Sequence, residues 1–200
     1  VWRTAAPVSG FVQSEPLDGQ PATDRTDVRV AYDKDTLYIA AVCHDRAPRR
    51  GVISQIREDF TSSDQDTFEV ILDTFADRRN GFVFITNRAG ARSDQQVANE
   101  GREINASWDA VWFVRTQESA EGWTVEMAVP FTSLRFNEES PGGWGINFSR
   151  RIRRKNEVDF WSPVSRAYNL ARVSLAGNLG GLPDLRAGRS FCSARLAGTL

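Results

Sequence analysis

Trp144 to Ile152 opens with apolar side chains at every second position, and that period of two recurs in short runs along most of the chain. Such alternation sends neighbouring side chains to opposite faces of an extended strand and is incompatible with a helical stripe. Here Trp144, Ile146 and Phe148 make one face, while Asn147, Ser149 and Arg151 make the other. In the same way Val125, Met127 and Val129 oppose Thr124 and Glu126, and Phe68, Val70 and Leu72 oppose Thr67, Glu69 and Asp73. Val28-Arg29-Val30-Ala31-Tyr32, the turn Asp33-Lys34-Asp35-Thr36 and the apolar run over 37–42 read as a hairpin. Further strands are expected over 81–87 and 109–116, with turns at Asp77-Arg78-Arg79-Asn80 and Ser140-Pro141-Gly142-Gly143. Short strands, short turns and one or two helical turns, the clearest at Pro130-Phe131-Thr132-Ser133-Leu134, predict an all-β, antiparallel β-sandwich.

A chain of 200 residues can bury a full core as one domain, placed here at residues 1–182. Residues 183–200 follow a Gly-rich stretch without a clear strand boundary and read as a linker or tail. The 25 basic and 26 acidic side chains nearly cancel, so no global field attracts nucleic acid. No apolar run approaches the roughly 18 residues of a transmembrane helix. Cys43 and Cys192 allow one disulfide at most and exclude a disulfide framework. The first residue is Val1 rather than Met, which points to an upstream segment.

Six tryptophans stand beside Asp and Arg rather than His and Cys. Indole faces next to carboxylates and amides suit sugar rings, whose C–H faces stack while their hydroxyls need hydrogen-bond partners. The same indoles also suit the core of a small β domain. Trp108 and Trp112 would lie on one face of an extended segment about 13 Å apart, spaced for successive sugars or for packing. Trp161, next to a loop in Asp159-Phe160-Trp161-Ser162-Pro163, is the tryptophan best placed for ligand contact. A polar face holding Glu69, Glu126 and Asn147 would line a shallow concave sheet or form ordinary wet surface. Asp66 and Glu69 sit three apart, on opposite faces of a strand, and so are poorly placed as an acid/base pair; Glu69 alone suits hydroxyl binding.

Asp33, Asp35, Asp64, Asp73 and Asp77 lie in or beside turns and offer oxygens suited to a structural calcium ion, though no helix-loop-helix calcium loop is present. The basic run Arg150-Arg151-Ile152-Arg153-Arg154-Lys155 divides between two strand faces and is expected to pair with nearby acids. With one histidine, His44, no Gly-x-Ser-x-Gly elbow and no His-Glu-x-x-His pattern, the common hydrolase classes find no support. Haem held by His44 and Met127 is a remote alternative, because Met127 falls in an apolar stripe.

Val28-to-Tyr38, Asp66-Thr67-Phe68-Glu69-Val70-Ile71-Leu72-Asp73, Gly122-Trp123-Thr124-Val125-Glu126, Pro130-Phe131 and Gly177-Asn178-Leu179 together, in this order, resemble the family-nine carbohydrate-binding modules. The resemblance runs from Trp2 to about Leu182 and implies a jelly-roll-like sandwich that binds oligo- or polysaccharide without catalysis. Leu72 to Arg79, Asn87-Arg88-Ala89-Gly90, Trp108-Asp109-Ala110-Val111-Trp112, Ser133-Leu134-Arg135-Phe136 and Trp144-Gly145-Ile146-Asn147-Phe148 are similar to a bacterial subgroup in which the module precedes an outer-membrane β-barrel. That implies an extracytoplasmic setting, in the periplasm or at the outer membrane of a Gram-negative bacterium, and a barrel partner beyond Leu200. The family grips a terminal sugar between two tryptophans with polar help that includes a Glu, which carries over to Glu69. The clamp itself does not: Ser63 and Leu170 stand at the tryptophan positions, and Ile85 replaces an expected arginine. Losing two stacking partners, each contributing about 1–3 kcal/mol, would weaken sugar binding by about two to four decades. The ligand candidates are therefore Glu69, Trp161, Asp66, Trp108 and Asn147. The alternative is a sandwich that has lost sugar affinity and serves as scaffold or docking domain for the barrel.

Overall fold

A computed structural model of the chain describes Trp2 and residues 5–136, 143–181, 192–193 and 195–198. Its strands are β1 (Val12–Glu15), β2 (Thr26–Tyr32), β3 (Thr36–His44), β4 (Thr67–Asp73), β5 (Gly81–Asn87), β6 (Arg92–Ala98), β7 (Glu103–Asn105), β8 (Phe113–Ser119), β9 (Gly122–Pro130), β10 (Trp144–Ile152), β11 (Glu157–Phe160), β12 (Gly177–Gly180), β13 (Cys192–Ser193) and β14 (Arg195–Ala197). The larger sheet runs β1-β11-β10-β4-β5-β6-β7, with β12 joined to β10 and to β14; the smaller runs β13-β2-β3-β9-β8. Every strand pairing described is antiparallel, as the sequence predicts.

The apolar faces read from alternation meet between the sheets. Phe68, Val70, Leu72, Val125, Met127, Val129, Trp144, Ile146 and Phe148 all belong to one buried cluster. Burial of such side chains, at about 1.5–3 kcal/mol each, is the main force holding the two layers together. Cys43 lies in this core as a free thiol, and burial pushes its pKa up to about 11, so it is inert.

A second apolar cluster covers the outer face of the larger sheet. Ile71, Val83, Ile85 and Val97 point outward there and are closed over by Phe60 from the 53–65 segment and by Val164, Leu170, Ala171 and Val173 from the 161–175 segment. Two fastenings hold these covers. Asn87 donates its side-chain amide to the Gln55 carbonyl at 2.6 Å and to Gln65 Oε1 at 2.9 Å. Glu100 accepts the Ser174 amide at 3.0 Å and pairs with Arg172 Nε at 2.9 Å.

Three expectations are corrected. Glu69 and Asn147 share the outer face of the larger sheet, but Glu126 points out of the smaller sheet on the opposite side of the molecule, so the three cannot line one hollow. The strand expected from 109 begins at Phe113, because Asp94 accepts the Ala110 amide at 2.7 Å and the Trp112 indole N–H at 3.1 Å, pinning the preceding stretch as a loop. Two short strands also fall in the stretch read as linker: β13 pairs with β2, and β14 pairs with β12. Of the turn expected at Ser140-Pro141-Gly142-Gly143, only Gly143 is among the described residues, and residues 183–191 of the linker lie outside them. Six single 3-10 turns appear among the described residues, one of them at Phe131–Ser133. None of the described helices is long and apolar enough to cross a membrane.

Candidate functional site

Glu69 projects outward from β4, opposite Ser149 of β10 and Ile85 of β5. It is half-buried, and Thr67 Oγ1 donates to its Oε1 at 2.9 Å. Burial pushes its carboxyl above the usual range, against the pull of the Arg151 charge and the Thr67 hydrogen bond. Arg151, on the same face, keeps a buried Nε without a partner. Its cross-strand neighbours are the hydroxyl of Ser149 on one side and the apolar Ile85 on the other. Ile85 and Leu170, at the arginine and second-tryptophan positions of the implied grip, are both members of the outer apolar cluster, and Ser63 is exposed on the 53–65 segment. The two clamp positions therefore carry no indole, and the aromatic rings of the outer cluster are those of Phe60 and Phe160 among the described residues.

The other sequence candidates have structural roles. Trp161 is 8% exposed and packs on Phe148 with ring centroids 5.6 Å apart, inside the main core rather than at a loop-edge site. Trp108 packs over Phe82 at 4.7 Å and toward Phe84 at 6.1 Å, against the same core. Asn147 is buried: it donates to the Ser162 carbonyl and accepts from the Ser162 amide, both at 2.9 Å, joining β10 to the chain after β11. Asp66 is buried too, accepting the Arg153 amide at 2.8 Å and facing Arg88 Nη1 at 3.3 Å. Of the five, Glu69 and Trp108 keep partial exposure, and they lie apart: Glu69 is on the outer face of the larger sheet, and Trp108 packs against the core between the sheets.

The acids and bases at the strand ends form a network. Arg88, Asp45 and Asp66 pair within the fold, Arg150 donates to the His44 carbonyl at 2.7 Å, and Arg154 pairs with Asp45 at 2.7 Å. The basic run is split between faces, and within it Arg154 and Lys155 pair with the acids Asp24 and Asp45, whereas Arg150 bonds to backbone carbonyls and the Thr26 hydroxyl. Three of the five turn aspartates spend oxygens on backbone donors, while Asp64 accepts from the Ser63 hydroxyl and Asp35 pairs with Lys34 at 3.6 Å. Asp33 Oδ1 accepts from Asp35 and Thr36, Asp73 from Asp77 and Arg78, and Asp77 from Arg79 and Asn80. Among the described residues no group of three or more His, Cys, Asp or Glu side chains is placed to hold a metal ion. His44 faces outward from β3 and meets Asp27 at 3.3 Å, whereas Met127 points into the core, so the two cannot share an axial site.

The residue that sequence reasoning passed over is Trp2. The other five tryptophans lie in or against the core, whereas Trp2 lies on the outer face of the smaller sheet and donates its indole N–H to Glu126 Oε1 at 2.9 Å. Pairing puts Phe113, Ala128 and Tyr38 in one row across β8, β9 and β3, and Arg115, Glu126 and Ala40 in the next. The small side chain of Ala128 floors a hollow of about 330 Å³, with the rings of Trp2, Tyr38 and Phe113 at its sides. Its one available signal in the sequence is that Trp2 belongs to no alternating run and so has no strand to carry it inward.

Residues 1–155 match the family described as carbohydrate family 9 binding domain-like. The fold is similar to that of a family 9 carbohydrate-binding module from Caldicellulosiruptor kristjanssonii in complex with glucose, at 17% identity over 92% of this chain and 88% of that one, with a TM-score of 0.60. It is also similar to a candidate carbohydrate-binding protein from Bacteroides uniformis, at 13% identity over 81% and 79% of the two chains, with a TM-score of 0.60. No curated protein matches the chain. At such identities the two solved structures speak to the fold alone.

Proposed function

The chain belongs to the carbohydrate family 9 binding domain-like family, and from that premise we propose that it is a non-catalytic carbohydrate-binding module. Its ligand is a glycan of a polysaccharide-degrading or uptake system, and its setting is extracytoplasmic, in the periplasm or at the outer membrane of a Gram-negative bacterium. The observation that carries this reading is the family match over residues 1–155 on a two-layer antiparallel sandwich. The glucose held by the solved module of similar fold supports the ligand class. Fold alone would not carry it, since one sandwich serves many functions. Isothermal titration with glucose and with cello- and xylo-oligosaccharides tests the reading. Heat that saturates is expected, and a folded sample that gives none with any of them overturns it.

One observation favours a second reading. The outer apolar cluster closes the face that the resemblance assigns to sugar, with Ile85 and Leu170 where an arginine and an indole would grip it. A sandwich altered in that way suits a scaffold or docking domain for an outer-membrane β-barrel. Sugar-independent pull-down of the barrel portion, together with silent titrations, would favour this reading over the first.

A further inference from the structure

The aromatic hollow on the smaller sheet lies across the sandwich from Glu69. We infer that this hollow, walled by Trp2, Tyr38 and Phe113 and floored by Ala128, is a binding site for a neutral pyranose unit, with Glu126 and Arg115 gripping its hydroxyls. The inference rests on the carbohydrate-binding reading and moves the site from the face the family resemblance implies to the opposite one.

Shape is the first argument. A volume of about 330 Å³ falls at the lower end of small-ligand pockets, large enough for a sugar ring but not for an extended apolar ligand. Phe113, 60% exposed, is a large ring left facing solvent on β8, whose inward Val114 is partly buried against the core, and the small side chain of Ala128 beside it leaves the ring face accessible. Trp2 supplies a second ring, and its position is fixed by the hydrogen bond to Glu126 rather than by core packing.

Chemistry is the second. Glu126 is directly across from Arg115 on β8, so an acceptor and a donor stand side by side at the rim. Arg115 enters no ion pair among the described residues, which leaves its guanidinium available to hydroxyl oxygens. One Glu oxygen is taken by the indole, and the other remains an acceptor. Neighbouring opposite charges at the rim nearly cancel and so favour a neutral sugar, because a uronate would meet the Glu126 carboxylate. Aromatic faces with flanking donor and acceptor are the combination a pyranose needs, C–H surface on one side and directed hydroxyls at the edge.

Tryptophan emission provides the readout, since Trp2 is the indole outside the core. Wild-type protein titrated with cellotetraose, xylotetraose and maltotetraose is expected to change its emission and release heat with at least one of them. With that sugar, Phe113→Ala is expected to lower affinity about tenfold or more, and Glu126→Gln to lower it with unchanged thermal stability, since both side chains are exposed. Trp2→Phe is expected to remove the emission change while retaining part of the affinity. If Glu69→Gln abolishes the heat while Phe113→Ala and Glu126→Gln bind like wild type, the site is on the larger sheet and this inference fails while the carbohydrate-binding reading stands. If no sugar gives heat or an emission change, both fail together.

Discussion

Arg88 Nη1 lies 3.3 Å from Asp66 Oδ2, and the two side chains are 1% and 4% exposed. The same guanidinium faces Asp45 at 3.4 Å, Glu118 at 3.0 Å and the Pro48 carbonyl at 2.8 Å, so a single fork fastens three separate segments, 45–48, Asp66 and β8, to the β5–β6 turn. Arg88→Ala would leave two carboxylates buried without that partner. Truncating one member of a buried, hydrogen-bonded ion cluster costs about 3–5 kcal/mol. Urea denaturation should show a loss of that order, and Arg88→Lys should recover little of it, because one ammonium cannot reproduce the planar fork. A loss below about 1 kcal/mol in Arg88→Ala would mean the cluster contributes no more than a surface pair.

Asp159 gives the fold a dependence on pH. It is fully buried on the inward side of β11, between Gln13 of β1 and Arg150 of β10, with Glu157 two residues along, and neither carboxyl oxygen has a hydrogen-bond partner. Burial, and then the charge of Glu157, push its pKa from the ordinary 3.8 up to about 8, against the pull of Arg150 and Lys155. The folded chain then holds a proton that the unfolded chain has released. Its contribution is complete below about pH 4 and declines as pH rises to about 8, with a slope of at most about 1.4 kcal/mol per pH unit. Melts at several values between about pH 5 and pH 8 should show wild-type stability falling with pH and Asp159→Asn falling less. Equal slopes in the two proteins would assign the pH dependence to other groups.

Alternation makes the sandwich legible because β4, β9 and β10 each bury one face between the sheets, and the inward residues that spacing assigns to them are the ones found in the core. β6, Arg92–Ala98, was not legible: Arg-Ser-Asp-Gln-Gln-Val-Ala has little apolar content, and the strand is held by backbone pairing to β5 and β7. β1, Val12–Glu15, is polar for the same reason and is held by pairing to β11. The candidate site was less legible than the fold. An indole in a strand signals burial and ligand stacking equally well, and Trp161 and Trp108 are used for packing. Whether the polar side of β4 meets water depends on the 53–65 and 161–175 covers, which carry no periodic signal. Strand alternation also says nothing about which sheet a strand joins, and this is why Glu126 was grouped with Glu69.

Leu170 distinguishes a packing residue from a sugar contact. It is 6% exposed in the apolar cluster with Ile85 and Phe60. Leu170→Ala removes buried methyl groups from a cover segment, and a cost of about 2 kcal/mol is expected, the low end for such truncations because a surface segment can settle into the space. Thermal or urea unfolding measures it. A variant as stable as wild type would show that the cover is loosely seated over Glu69, and would return the larger sheet to consideration as the binding face.

Gly122 opens β9 at the β8–β9 turn with a φ of +139°, a conformation that side chains with a Cβ rarely adopt. A Cβ there would sit 2.1 Å from the Cys43 carbonyl oxygen and 3.0 Å from the Asp45 amide nitrogen, both backbone atoms held in place by the β3–β9 ladder and by the Asp45 bond to the Glu121 carbonyl at 2.9 Å. Neither atom can swing aside as a side chain would. Gly122→Ala should therefore cost on the order of 3 kcal/mol, read from the urea midpoint, whereas Glu121→Ala, one residue earlier and exposed, should stay within about 0.5 kcal/mol of wild type. Because Phe113 and Arg115 of β8 face Ala128 and Glu126 of β9 across this hairpin, the glycine variant should also lose the sugar-dependent change in Trp2 emission at temperatures where its circular dichroism still reports folded sheet. Retention of both stability and emission change in Gly122→Ala would show that the hairpin tolerates a shifted turn, and that the hollow does not depend on its register.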